Sequence, residues 1–229
     1  MTFVFDPPPQ ASLAVAGQAA RFPVRRVFCV GRNYAAHARE MGNDPDREPP
    51  FFFTKPADAV VDTPCSVPYP PATKELHHEV ELVLAIGKAG ANISTDTALC
   101  HLWGASVGID LTRRDLQADA KATRRPWDMA KGFDHSAPIA PIIPIAEAGA
   151  LSAGRIWLNV NDTPRQDADI AEMIWPVPDI IAFLSQMVAL APGDIIMTGT
   201  PAGVGPLRPG DIMTGGLGTL GNFEVRIAE

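Results

Sequence analysis

Cysteine is scarce in this 229-residue chain. Cys29, Cys65 and Cys100 are an odd number, widely spaced, with no CxxC pair and no Cys/His cluster. Such a set builds neither a disulfide framework nor a zinc knuckle, and it reads as small buried thiols of a reducing compartment. Positive charge is in short supply too. Nineteen Lys and Arg face 26 Asp and Glu for a formal net charge of −7, so no basic face is offered to nucleic acid or an anionic membrane. No apolar run approaches the ~18–20 residues of a membrane helix. The first residues reach Pro7-Pro8-Pro9 without the cationic segment of a secretory leader. The expectation is a cytoplasmic protein with no membrane and no nucleic-acid partner.

Turn-formers are abundant instead: 19 Gly and 23 Pro, which favours short strands and shaped loops over a helical bundle. Hydrophobic residues at 46% and charged residues at 20% are ordinary for a globular chain and exclude disorder, collagen and coiled coil. The length fits one large domain. Residues 1–20, rich in Pro and Ala, read as an N-terminal arm, and 21–229 as a single catalytic domain.

The clearest element is His78–Ile86 (HEVELVLAI), alternating at first and then apolar on both faces, as in a buried strand. Further strands are expected at Val27–Val30 and Gly104–Leu111, and a hairpin at Ile156 onward around an Asn161-Asp162 turn. Helices are expected over 33–41, 95–102 and 179–190, and from Thr112-Arg-Arg-Asp115 as a capping box through Lys121. A Pro-dense loop spans 44–50, and Lys55-Pro56-Ala57 has no evident regular structure. Two similar stretches beginning at Pro192 and Pro209 each read as a turn feeding a strand. The fold class is α+β with a mainly β core.

Glu79 and Glu81 are the most informative pair. On a strand, residues i and i+2 share a face, and the next residues on that face are Val83 and Ala85. Two carboxylates entering an apolar core cost several kcal/mol unless a cation or proton compensates them, so a metal site is favoured over a solvated strand end. Asp110 lies in a second apolar stretch, Ser106–Thr112, where a ligand and a helix-capping Asp account for it equally well. Three oxygen ligands without Cys or His describe a hard dication such as Mg2+ or Mn2+. His37 and Glu40, at i and i+3 on the helix after Gly31-Arg-Asn-Tyr34, can meet and deprotonate a water. From spacing alone, a surface His–Glu pair is the better account of them.

Two motifs mislead. Gly104-Ala-Ser106-Val-Gly108 matches the GxSxG nucleophile elbow, but Val-Gly-Ile-Asp-Leu after the serine continues a strand where the elbow needs a helix. Gly203-Val-Gly205 is followed by Pro206 and Pro209 and opens no nucleotide-binding helix. The loop Thr198–Gly203 is still rich in backbone able to hold a carboxylate.

Taken together, Gly31-Arg-Asn-Tyr-Ala-Ala-His37, Phe53-Thr-Lys-Pro56, His77-His-Glu-Val-Glu81 and Gly108-Ile-Asp110 resemble the fumarylacetoacetate hydrolase family. So do Arg113-Arg-Asp-Leu-Gln117, Ala130-Lys-Gly-Phe-Asp134 and Thr198-Gly-Thr-Pro201, in the family's order from about Val24 onward. Longer members carry a further N-terminal domain, so the resemblance is to the short, acylpyruvase-like branch and most of all to its fumarylpyruvate-cleaving members. It implies a mixed β-roll with peripheral helices, a homodimer, and one Mg2+ or Mn2+ per chain held by Glu79, Glu81 and Asp110. It further implies His37 and Glu40 as the water-activating pair, Lys131 against the enolate, and Arg114, Gln117 and Thr200 around the pyruvyl end. The implied reaction is hydrolysis of a C–C bond in a 2,4-dioxo acid, with fumarylpyruvate, cleaved to fumarate and pyruvate, as the favoured case. Competing readings are a general acylpyruvase, oxaloacetate decarboxylation, hydration or isomerisation at the same site, or a dicarboxylate-binding protein without activity. Of Arg32, Arg39, Arg124 and Arg125, at least one is expected to reach a second, distal carboxylate.

Overall fold

The apolar run Val80–Ile86 forms the middle of an eight-stranded sheet, and all seven of its residues are buried. This is a computed structural model, in which residues 2–40 and 49–229 are described. Leu82, Leu84 and Ile86 point into one apolar cluster, Val83 and Ala85 into another. A strand with core on both faces needs apolar residues at every position, which is why the alternation fades after Glu81. The sheet runs in the order Phe51–Lys55, Arg26–Gly31, Asp194–Met197, Val80–Ile86, Leu102–Ile109, Ala137–Ile139, Val60–Asp62, with Ile143–Pro144 also paired to Leu102–Ile109. Most pairs are antiparallel. Asp194–Met197 with Arg26–Gly31, and Ala137–Ile139 with Val60–Asp62, are parallel.

The first cluster is closed by a five-stranded sheet (Thr163–Asp169, Arg155–Val160, Ile212–Leu217, Asn222–Ile227, Cys65–Val67) and by the helix Val177–Met187, which buries Ile180, Ile181 and Leu184 there. The second is covered by the hairpin Ser12–Val15/Gln18–Pro23 through Leu13, Val15 and Phe22. Asn161 and Asp162 both take positive φ, 49° and 62°, the backbone a two-residue hairpin needs to match strand twist. The fold is the mainly β roll with peripheral helices expected from the sequence.

Local departures have identifiable causes. The predicted strand His78–Ile86 is interrupted at Glu79, which joins Leu76–His78, part of a small three-stranded sheet, to Val80–Ile86. The predicted strand ending at Leu111 stops at Ile109, so Asp110 is the first residue past its end. Residues 95–102 yield only the 3-10 turn Ala98–His101, and the aromatic run continues as the strand Phe51–Lys55. The capping box does not form. Helix α2 (Arg114–Ala122; α1 is Ala35–Glu40) begins without a side-chain cap. Thr112 is drawn to Lys131, and Asp115 accepts from Thr73 Oγ1 and the Lys74 N–H at 2.5 and 2.8 Å. Of the thiols read as buried, Cys29 is, Cys65 is half-buried and Cys100 is exposed. Met41, at the end of the helix expected over 33–41, and the first five residues of the loop expected over 44–50 lie outside the described residues.

Candidate metal centre and its cleft

The register of two neighbouring strands assembles the carboxylates. Val80 pairs with Ile109 and Glu81 with Gly108. One step further along the ladder Glu79 meets Asp110, whose N–H donates to the Glu79 carbonyl at 2.8 Å. Glu79, Glu81 and Asp110 are all buried, and one ligand oxygen from each lies within 4.8 Å of the others. Gly108 makes room beside them: a Cβ there would come within 2.9 Å of Ile139 and 3.0 Å of the Pro138 carbonyl.

Three buried carboxylates require compensation, and three cations supply it. Lys131, at the C-terminal end of the short helix α3 (Asp128–Lys131), spends its three N–H donors on Asp110 Oδ2 at 2.6 Å, Thr112 Oγ1 at 2.6 Å and Glu79 Oε2 at 2.8 Å. Burial would lower its pKa, but Asp110 and Glu79 outweigh that and raise it, so it stays an ammonium. Arg114, opening α2, donates to the other Glu79 oxygen and to Gln117 Oε1 at 2.7 Å. Lys55 is the third cation. Its Nζ is 2.8 Å from Asp110 Oδ1 and donates to the carbonyls of Leu111, at 3.1 Å, and Lys131.

The three acids respond differently. Burial alone would raise Glu79, but Lys131, Arg114 and His37 hold it below the usual carboxylate range. Glu81 moves the other way, pushed well up by burial and then by Asp110 and Glu79; it accepts a hydrogen bond from the Gly199 N–H at 2.7 Å. Asp110 Oδ1 accepts no hydrogen bond although fully buried, and Lys55 stands 2.8 Å from it as a counter-charge. An orphaned carboxylate oxygen beside two further carboxylates is the donor set of a hard dication, and the residues fit Mg2+ or Mn2+. Lys131, Arg114 and Lys55 equal the three acids in number, so a bound dication would leave this group net positive and suited to an anion.

His37, on α1, is buried and lines the same cleft as Glu79, Glu81 and Lys131. Its Nδ1 is 3.3 Å from Glu40 Oε2, and the Glu40 side chain is 41% exposed. Asn33, fully buried, fixes the start of α1: its amide donates to the Trp175 and Thr198 carbonyls at 3.0 and 2.8 Å and accepts from the Trp175 N–H at 2.8 Å. Arg114, Gln117 and Thr200 also line the cleft. Thr200 does so with its hydroxyl engaged on both sides, donating to the Val80 carbonyl at 2.8 Å and accepting from Gln166 Nε2 at 2.7 Å. The nine residues read as metal ligands, water-activating pair, enolate lysine and pyruvyl contacts therefore fall in or beside one cleft, Glu40 at its exposed side.

Other contributors were not singled out. Lys55 sits in the Phe53-Thr-Lys-Pro56 motif; its signal is the unmet need of three buried acids for cations. Gln166, buried in a strand that reads as polar and exposed, accepts from the Val80 N–H at 3.1 Å and meets His78 Nδ1 at 3.0 Å. Because both N–H groups of its amide are donated to Thr200 and Pro201, its oxygen must be the acceptor for His78. Burial, opposed by that bond, holds the imidazole low, at about 4. Ser106 is no nucleophile: it is buried mid-strand and donates to the Ala140 carbonyl at 2.7 Å.

The fumarylacetoacetate (FAA) hydrolase C-terminal family model matches residues 26–228. Among solved structures, a fumarylpyruvate hydrolase from Pseudomonas aeruginosa in complex with Mn2+ and pyruvate is 48% identical, with TM-score 0.97 over 99% of each chain. A Burkholderia cenocepacia structure is 56% identical, with TM-score 0.94 over 100% of this chain and 99% of the other. The Escherichia coli oxaloacetate tautomerase YcgM is 40% identical over 84% of this chain and 88% of its own. No helix among the described residues is long and apolar enough to cross a membrane.

Proposed function

Because this chain belongs to the fumarylacetoacetate hydrolase family, we propose that it is a Mg2+- or Mn2+-dependent acylpyruvate hydrolase whose favoured substrate is fumarylpyruvate. The observation that carries the reading is the buried cluster of Glu79, Glu81 and Asp110, in which Asp110 Oδ1 accepts no hydrogen bond, beside the cleft that His37 and Lys131 line. Likeness to a fumarylpyruvate hydrolase across nearly the whole chain supports the substrate.

Glu79, Glu81 and Asp110 would hold the dication, which when bound would polarise the substrate's carboxylate and 2-oxo oxygens. His37, oriented by Glu40, takes a proton from a water as its oxygen adds to the C4 carbonyl. The C3–C4 bond then breaks, its electron pair passing to C3 as pyruvate enolate, which is protonated at C3. Lys131 presents a fixed ammonium to that developing charge without reorganising at the moment of reaction. Arg114 and Gln117, neighbours on one face of α2, hold the pyruvyl carboxylate, while Thr200 fixes the wall opposite through its two hydrogen bonds. The products are pyruvate and fumarate. The same reading has a homodimer working in the cytoplasm, built from one catalytic domain that includes the hairpin Ser12–Val15/Gln18–Pro23.

A second reading is oxaloacetate tautomerisation or decarboxylation, favoured by relatives such as the Escherichia coli protein. A panel of fumarylpyruvate, acetylpyruvate and oxaloacetate, assayed with Mg2+ or Mn2+ and again with a chelator, decides. Cleavage of the 2,4-dioxo acids that is lost with the metal supports hydrolysis. Turnover of oxaloacetate alone replaces it with the second reading.

A further inference from the structure

We propose that Lys121 is a specificity residue, its ammonium receiving a second carboxylate at the end of the substrate remote from the acidic cluster. The inference rests on the cleft being the site of an elongated oxo acid, as above, but on different residues.

Helix α2 presents Arg114, Gln117 and Lys121 to the same cleft, at spacings of three and four that place them on one helical face. Arg114 touches Glu79 and so marks the acidic end. Lys121 stands seven residues on, about 10 Å further along the axis at 1.5 Å per residue, and so serves a long substrate better than a short one.

The surroundings of Lys121 lack what a cation ordinarily finds. Its Nζ sits 5.1 Å from the centre of the Trp127 ring, a wall shared with Phe51 and Phe53, which make edge contacts with Trp127 at 5.2 and 5.8 Å. Among the described residues no carboxylate lies within ion-pair distance of it. Its charged neighbours are mostly cations. Burial, then Arg114 and Arg32, bring it down to about 8, with Glu79 pulling the other way. A half-buried ammonium held among cations and over an aromatic face is costly alone and is relieved by an anion. Of the four arginines considered from sequence, Arg32 also lines this cleft; Arg125 lines an adjoining cavity, and Arg39 and Arg124 are exposed.

The test is binding, so that it does not depend on which bond the enzyme breaks. With Mg2+ present, calorimetry compares 2-oxooctanedioate with 2-oxooctanoate, equal in length and differing only in the distal carboxylate. The wild type should favour the dicarboxylate by roughly 10- to 100-fold, the scale of one charge-assisted contact. Lys121→Met should collapse that ratio toward one through loss of affinity for the dicarboxylate, and Lys121→Arg should restore most of it. An unchanged ratio in Lys121→Met, or an equal loss for both ligands, overturns the proposal. Failure of the hydrolase reading would show separately, as wild type that binds these ligands yet cleaves no 2,4-dioxo acid.

Discussion

Lys55 Nζ lies 2.8 Å from Asp110 Oδ1, and both side chains are fully buried. Strand Phe51–Lys55 thus delivers at its last residue a counter-charge to an acid that follows a different strand of the same sheet. Removing one partner leaves the other charge unpaired in the interior, which costs more than the intact pair contributes. Lys55→Met should lose about 3–5 kcal/mol of stability in urea unfolding without metal. Added Mg2+ should recover part of that loss by taking over the compensation. Stability equal to wild type would show that Asp110 is compensated by Lys131 alone.

Glu81→Gln separates folding from metal binding. Burial, Asp110 and Glu79 all oppose a charge at position 81, so the neutral amide should leave the metal-free protein as stable as wild type or slightly more so. It also deletes a charged ligand. A tenfold weaker affinity removes about 1.4 kcal/mol of metal-induced stabilisation at saturating metal. Calorimetry with and without Mg2+ reads both quantities, and an undiminished metal-induced rise in Tm would take Glu81 out of the ligand set.

His37→Ala should lower kcat by roughly 10²-fold or more, the scale of a general base. Its metal-induced rise in Tm should stay at the wild-type size, because His37 is assigned to the water and not to the metal. Glu40→Gln should give a smaller loss in kcat, since the imidazole keeps its place but loses the carboxylate that orients it. A silent Glu40→Gln reduces the 3.3 Å contact to a helix-surface pair.

The pH dependence of long substrates should follow Lys121, brought down to about 8 by burial, Arg114 and Arg32. The charged form dominates below that pH, so the gain in kcat/KM from a distal carboxylate is present at pH 7 and fades as pH rises through about 8. In Lys121→Arg the guanidinium keeps its charge, and the gain should persist to higher pH. A pH-independent preference in the wild type contradicts this assignment.

Gln166 ties together His78, the Val80 N–H, Thr200 and the Pro201 carbonyl. Gln166→Leu strands these buried groups at once, and the expected loss is on the order of 3 kcal/mol. With Thr200 freed on one side, KM should rise more than kcat falls. Unfolding by urea and steady-state kinetics check the two halves independently.

The carboxylates were legible in the sequence because acids inside HEVELVLAI break an apolar pattern that folding otherwise enforces. Buried cations leave a fainter trace. Lys55 follows Phe51-Phe-Phe-Thr54, and nothing local separates a lysine that ends a strand in solvent from one drawn inward. Gln166 is fainter still, since Thr-Pro-Arg-Gln-Asp reads as an exposed edge and its burial is imposed by strands and loops distant in sequence. Lys121 carries no local mark, since only Trp127 and the cleft that the fold brings beside it distinguish it from any charge on a polar helix. The capping box failed for a related reason: Thr112 and Asp115 are good capping residues, but tertiary partners bind both more strongly than the helix end does.

The acids hang from strands whose register is fixed by core on both faces, whereas three of the cleft's polar side chains come from the single helix α2. That separation divides what must stay from what can vary. Exchanging residue 121 changes which acyl group is measured against the cleft while leaving the strand ladder, Arg114 and Gln117 untouched. A scaffold divided in this way can diversify at the far end of one helix, and a library confined to position 121 and the aromatic wall beside it would explore new specificities without touching the carboxylates or the Arg114 that compensates Glu79.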